Sequence, residues 1–429
     1  MFGFANFLLL ALFAAAVFDL IFALARGGGL RGALHGLWNT PHLLFGQQLA
    51  EWRLQLGRIL FAAGLAAYEI SVVFCNSMAR QNWAWVQGVM SPVLEWLAFL
   101  CFGAKILFGT RYTWRELLAG GALYFIARWV YFNSQNIWWI GIVVAVLAAK
   151  DVPLRRPLQV YFASGCAAMA VVLALHFAGI VAPDLTSERM GALRGTYGYG
   201  HPNTFGGLVF GLVLAYALLR AQKVRWVDCL LVFAVGVFLL VGPASRSAAL
   251  CTLALAVGLV FCRLRAGHSV PRWWPGTCAG MVGLTAAVSY LLPLLVIKVG
   301  PWNNDIGPAW LAKLDSLLTC RISLTWMAYR LLDVKIAGQV FNWPTVDNSF
   351  AFALFQFGPV VAALLGILFA AALWGYAKQG RRVEVCCLFA MLAYAYMEVQ
   401  PFHLTTNPTA LLLCGAVFAQ TSARWQKIE

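Results

Sequence analysis

Apolar stretches of membrane-spanning length recur along nearly all of this 429-residue chain, and they limit its fold more than any other feature. A transmembrane helix needs roughly 17 to 25 predominantly apolar residues. Runs of that kind can be placed near 3–25, 57–76, 91–109, 116–132, 134–149, 157–181, 203–221, 226–243, 245–263, 276–298, 349–377, 383–398 and 405–420. The sequence therefore predicts an all-α polytopic membrane protein of about 12–13 transmembrane helices. Composition agrees: 62% of residues are hydrophobic and only 11% charged, against about a quarter charged in an ordinary soluble domain. A nucleic-acid binder would carry more charge, so the net +15 belongs to a membrane protein with basic loops. Disorder, collagen and coiled coil are excluded by the same recurrence of spans.

The basic loops give an orientation. Lys150, Arg155 and Arg156; Lys223 and Arg225; Arg263, Arg265 and Arg272; Lys378, Arg381 and Arg382; and Arg424 and Lys427 all fit one cytoplasmic side. Arg26, Arg31, Arg53 and Arg58 ask to be inside as well, which puts the N-terminus outside if there are thirteen spans. The start, MFGFANFLLL, lacks a basic n-region and a cleavage site, so a retained first span is expected and not a signal peptide. Most of the eleven cysteines lie inside apolar runs, where they read as small packing residues and not as a disulfide framework. No linker or internal repeat divides the chain, and a single integral membrane domain over 1–429 is the simplest expectation.

The opposite face then receives residues 182–202, the turn around 243–246, and a large loop over 299–347. In that loop Trp302, Trp310, Leu311, Leu314, Trp326 and Leu331 mix with Lys and Arg, which suggests short helices beside the membrane. Cations on this face break the positive-inside pattern. Arg189 and Arg330 read as solvated or snorkelling, whereas Arg194, Arg246 and Arg321 read as a site. Arg246 lies in GPASRSAAL between two apolar spans, where an unpaired guanidinium is expensive. Guanidinium forks suit phosphate oxygens, so several beside a bilayer point to a lipid-linked phosphate or pyrophosphate.

Arg194 opens RGTYGYGHPNT, in which Gly195, Gly198 and Gly200 allow backbone N–H groups to turn toward an anion, while Pro202 and Asn203 form a helix entrance. His201 in that turn either braces it or does chemistry. Asp347, ahead of Asn348 and Ser349, is either a helix cap or a general base for a sugar hydroxyl. Glu398, at the end of a span in MEVQPFHLTTNP with His403 and Asn407 nearby, either pairs with an arginine or shares in the chemistry. Within the spans, Glu69 is the deepest charge, whereas Glu95, Lys105 and Arg128 are close enough to span ends to snorkel. No His/Cys/Asp/Glu cluster has metal-ligand spacing, and no G-x-S-x-G, Walker or DxD sequence appears, so metal-independent chemistry without a cofactor is expected.

Taken in order, RGTYGYGHPNTFGG, ASRSAAL, LLTCRISLTWMAYRLL and VDNSFAFALFQFG resemble the motifs of the Wzy-type polysaccharide polymerases and the related O-antigen ligases, over about residues 150–360. The resemblance implies a glycosyltransferase of the bacterial inner membrane with its active site on the extracytoplasmic side. A glycan would pass from polyprenyl (undecaprenyl) pyrophosphate to a hydroxyl of a lipid-linked acceptor, with Arg194, Arg246 and Arg321 neutralising the leaving pyrophosphate. Membrane lipids and a chain-length regulator are the partners it implies, with no nucleic acid. Ligases are expected to carry a His-Asn element where this chain has Asp347-Asn348, which favours a polymerase and leaves Asp347, His201 and Glu398 as candidate bases. A ligase that attaches finished glycan to a lipid or protein is the alternative reading. A lipid-linked-glycan flippase would instead predict charges along an interior path.

Overall fold

The computed structural model describes residues 2–25, 29–45, 50–181, 187–189, 192–296 and 308–418. Among these the chain is almost wholly helical, with two short antiparallel ladders: His42–Leu43 against Arg111–Tyr112, and Ser187–Arg189 against Ala192–Arg194. Among the described residues, eight helices are long and apolar enough to cross a membrane: Gly3–Ala25, Glu51–Cys75, Val86–Phe108, Arg155–Phe177, Pro202–Leu219, Arg246–Leu264, Trp274–Leu295 and Pro359–Lys378. The chain is thus an all-α protein with the helices of a multi-pass membrane protein. It forms two compact units, one of Met1–Arg128, Ile137–Thr204 and Ala410–Glu429, the other of Trp129–Asn136 and Phe205–Thr409.

In the first unit, helices close up through glycine, as lipid-embedded helices do where no hydrophobic effect drives them together. A Cβ on Gly57 would lie 2.8 Å from the Gly109 carbonyl oxygen, and one on Gly64 would lie 2.8 Å from the Phe102 ring. Two of the charges that sequence reading placed in its helices, Lys105 and Arg128, are held by protein. Lys105 is buried rather than snorkelling: its Nζ donates to Thr110 Oγ1 at 2.7 Å and to the Lys150 carbonyl, beyond the end of another helix. Lys150 Nζ in turn meets Glu116 Oε1 at 3.4 Å and Asp151 Oδ1 at 3.5 Å. Arg128 donates to Asn6 Oδ1 at 2.8 Å. Glu69 is buried with no ion pair among the described residues.

Segments expected to span but absent from the eight helices are short or carry charge. The expected span 134–149 is the 12-residue helix Ile137–Ala148, 226–243 is the 16-residue helix Trp226–Val241, and 383–398 is the 16-residue helix Arg382–Met397. Near 116–132, Trp114–Ser134 is 21 residues long but includes Arg115, Glu116 and Arg128. The span expected at 405–420 is a tight helical turn over Pro408–Leu413 followed by Cys414–Val417, with 419–420 outside the described residues.

In the second unit the expected span 349–377 is two pieces. Ser349–Phe352 runs through a wide turn at Ala353–Phe357 and stops at Gly358, and Pro359–Lys378 begins afresh. Gly358 has φ +87°, a conformation that L side chains resist, and Pro359 has no N–H to continue the previous helix. The preceding loop packs directly on this break: a Cβ on Gly358 would lie 2.1 Å from the Ile336 carbonyl oxygen, and one on Gly338 (φ +74°) 2.0 Å from that of Gln356. Gly358→Ala should therefore destabilise the protein by roughly 2–5 kcal/mol, from backbone strain plus overpacking. Thermal unfolding of the detergent-purified variant checks this, and an unchanged midpoint would contradict it.

The large loop begins outside the described residues at 299–307 and then forms two short helices, Ala309–Leu317 and Arg321–Leu331. The turn between them has Thr319 and Cys320 at positive φ. Asp315, fully buried, holds that turn: its Oδ1 accepts from the Ile322 and Ser323 N–H groups at 2.7 and 3.2 Å, and its Oδ2 from Ser323 Oγ at 2.8 Å. The hairpin is thereby fixed where Arg321 begins its second helix.

Candidate functional site

Of the site residues singled out from sequence, five fall in the second unit: Arg246, Arg321, Asp347, Asn348 and Glu398. Arg321 is 7% exposed, and each nitrogen of its guanidinium donates to protein. Nε donates to the Met397 carbonyl, and Nη1 to the Leu318 carbonyl at 2.9 Å and to Thr319 Oγ1. Nη2 donates to Glu398 Oε1 at 2.6 Å and, more weakly, to Ser247 Oγ at 3.4 Å. A guanidinium has five N–H groups, and here all five directions are taken. Ser247 Oγ also donates to Glu398 Oε1 at 2.8 Å, so the carboxylate is held from two elements at once.

Glu398 lies just beyond the helix Arg382–Met397, in extended backbone at φ −144°, ψ 150°. Burial pushes its carboxyl above the ordinary range, against the opposing pull of Arg321, while the charge of Asp347 pushes it further up. Ser349 Oγ donates to the Glu398 carbonyl at 2.6 Å, which ties the segment after Asp347 to the same place.

The Asp347–Ser349 element resolves an ambiguity in the sequence. The helix cap is Asn348: its Oδ1 accepts from the Phe350 and Ala351 N–H groups at 2.9 and 3.2 Å, and its Nδ2 donates to Ser289 Oγ at 3.1 Å. Asp347, half-buried, is left without a hydrogen bond or ion pair among the described residues. It is a carboxylate next to a charged cluster with no capping duty.

Arg246 opens the 19-residue helix Arg246–Leu264, is exposed, and has no ion pair among the described residues. A cation there opposes the helix dipole, at a typical cost of about 0.3–1 kcal/mol, so helix stability does not account for it. The turn before it is strained, with Ala244 at φ +49°, and Ser245 is buried at the cap position without a side-chain capping bond. Ser245 packs so closely on the Pro202–Leu219 helix that a Cβ on Gly206 would lie 2.3 Å from its Oγ. A Cβ on Gly207 would lie 1.8 Å from Gln400 Oε1. These glycines let the starts of two helices and the segment after Met397 come together.

Arg194, His201, Gly200, Pro202 and Asn203 lie in the first unit. Part of the expected segment 182–202, namely 182–186 and 190–191, is outside the described residues. Arg194 ends a two-stranded ladder, is 7% exposed, and donates from Nη2 to Asn203 Oδ1 at 2.9 Å. His201 is exposed, and its Nδ1 accepts from the Asn203 N–H at 3.1 Å. Gly198, at φ +82°, requires its glycine because a Cβ there would lie 3.0 Å from His176 Cβ; Gly200 meets no such limit. Pro202 is the first residue of its helix, as expected.

Sequence reasoning did not single out Ser247, Ser349 or the main-chain acceptors Leu318 and Met397. Ser247 and Ser349 left a signal, the first as the next residue after Arg246 in ASRSAAL and the second as the serine of VDNSFAFALFQFG. His403 is neutral, because burial pushes its imidazole down to about 3. Among the described residues no group of three or more His, Cys, Asp or Glu side chains is placed to hold a metal ion. Compared with family models, curated proteins and solved structures, the chain matches none.

Proposed function

We propose that this protein is a polysaccharide polymerase of the bacterial inner membrane, which transfers a glycan from polyprenyl pyrophosphate to a hydroxyl of a lipid-linked acceptor on the extracytoplasmic side. The observation that carries the proposal is an exposed cation without an ion pair among the described residues, Arg246, which directly precedes Ser247 of the buried Arg321–Glu398–Ser247 cluster, together with a carboxylate free of capping duty, Asp347, whose charge acts on Glu398 of the same cluster. Such a reaction requires positive charge on the leaving pyrophosphate and a base for the acceptor hydroxyl. Arg246 supplies the first and Asp347 the second. The motif order over residues 150–360 supports the same reading. The apolar helices offer a lipid phase for the polyprenyl tail.

Reconstitution in liposomes with a polyprenyl-pyrophosphate-linked repeat unit tests it. The expected product is a ladder of elongated glycan formed without added metal or nucleotide. Asp347→Asn should reduce elongation by about 10²–10⁴-fold, the span of general acid–base effects, while the protein stays folded. Transbilayer movement of the substrate without any elongation would instead identify a transporter. Elongation by Asp347→Asn at the wild-type rate would remove Asp347 as the base.

A further inference from the structure

Two thiols of the second unit meet away from the proposed site. Cys262 Sγ lies 3.5 Å from Cys386 Sγ, although 124 positions separate them in the chain. Cys262 is the third residue from the end of the helix Arg246–Leu264, and Cys386 is the fifth residue of Arg382–Met397. Gly258, one turn before Cys262, lets the two helices approach: a Cβ on it would lie 3.1 Å from Cys386 Sγ and 3.2 Å from Cys386 Cβ. Arg382 ties the same ends together by donating to the main-chain carbonyls of Arg265 and His268. At the other end of this antiparallel pair, Ser247 Oγ donates to Glu398 Oε1 at 2.8 Å. The helices are held at both ends, and the thiol contact is one that oxidation can make covalent.

We propose that Cys262 and Cys386 are an oxidant-responsive pair, which a peroxide converts into a disulfide clamp between the two helices. Both are free thiols. Disulfide sulfurs lie about 2.05 Å apart, so these two need to close by roughly 1.5 Å, a distance within reach of side-chain rotation. Cys386 is half-buried and is the thiol a small oxidant reaches first, whereas Cys262 is 7% exposed. Cys386 Sγ attacks one oxygen of hydrogen peroxide and the O–O bond breaks. The thiol proton leaves with the departing oxygen as water, and Cys386 is left as a sulfenic acid. Cys262 Sγ then attacks that sulfur, and the sulfenic oxygen leaves with the Cys262 proton as a second water. Two thiols have lost two electrons, and one peroxide has become two waters. Cys387, the next residue, is rotated by about 100° around the helix and does not share this direction. No glycan or pyrophosphate enters these steps, so the inference does not depend on the polymerase reading.

The test treats the full chain, purified and folded in detergent, with hydrogen peroxide. The remaining thiols are then blocked with N-ethylmaleimide, and the digested protein is mapped by mass spectrometry. The expected product is a pair of peptides joined through Cys262 and Cys386, lighter by two hydrogen atoms than its separate parts and released by dithiothreitol. The oxidised protein should unfold about 4–15 °C higher, because the bond closes a long loop, and dithiothreitol should return the midpoint to its starting value. In Cys262→Ser no neighbouring thiol intercepts the sulfenic acid, so Cys386 should pass on to sulfinic acid. Both cysteines still open to N-ethylmaleimide after peroxide would overturn the pairing, as would Cys262 joined to Cys387 as often as to Cys386. Neither outcome needs a variant. A bond that forms but leaves the midpoint unchanged or lower would overturn the clamp. None of these results bears on glycan transfer, so the pair and the polymerase reading stand or fall separately.

Discussion

Arg321→Met is expected to cost roughly 3–5 kcal/mol of folding free energy, the usual penalty for removing one partner of a buried ion pair. Both side chains are nearly sealed, at 7% and 6% exposure. The loss is not mainly that of an attraction. It is the loss of the Arg321 cation from beside a buried carboxylate, with the Met397 and Leu318 carbonyls also losing a donor. Arg321→Met combined with Glu398→Leu removes both charges and should recover most of that cost, because well-packed apolar replacements of buried ion pairs are often neutral or better. Unfolding midpoints of the detergent-solubilised single and double variants decide the matter. A single variant within about 1 kcal/mol of wild type would mean that water reaches the pair. A double variant no better than the single would place the stability in the carbonyl contacts.

What the sequence made legible, and what it did not, follows from the range of each signal. Membrane helices are local and additive, so the helix Gly3–Ala25, with a mean hydropathy of 2.7, is visible from composition alone. Their interruptions are also local but weak. Gly358-Pro359 is two residues inside a long apolar window, and only the loop around Gly338 lying on that spot makes the break obligatory. Lys105 shows the same limit, since nearness to a span end suggested snorkelling whereas the Lys150 carbonyl, 45 residues away, holds it inside. At the site, the expected break in the positive-inside pattern singled out Arg321, and one of the two readings of Glu398 was a pair with an arginine, but nothing in the sequence said which arginine. Glu398 is 77 positions further along, and no periodicity reports a contact of that kind. The cap illustrates the finest scale. Asp347 and Asn348 are both good cap residues, and only the placement of Ser289 and Ser349 decides that Asn348 caps and Asp347 is spared.

Arg246→Ala should divide stability from activity more cleanly than any other change. The side chain is exposed, makes no ion pair among the described residues, and faces the unfavourable end of its helix dipole. Its removal should leave the unfolding midpoint unchanged or raise it slightly, by the equivalent of about 0.3–1 kcal/mol. Elongation of the lipid-linked repeat unit should nevertheless fall by about 10²–10³-fold, the scale of losing one preorganised donor from a developing negative charge. Arg246→Lys keeps the charge but not the planar fork, so it should recover part of the rate. Initial rates in liposomes, with protein amount normalised by the folded fraction, give the comparison. A wild-type rate for Arg246→Ala would show that pyrophosphate leaves without this residue, and the proposed site would then lose the cation that defines it.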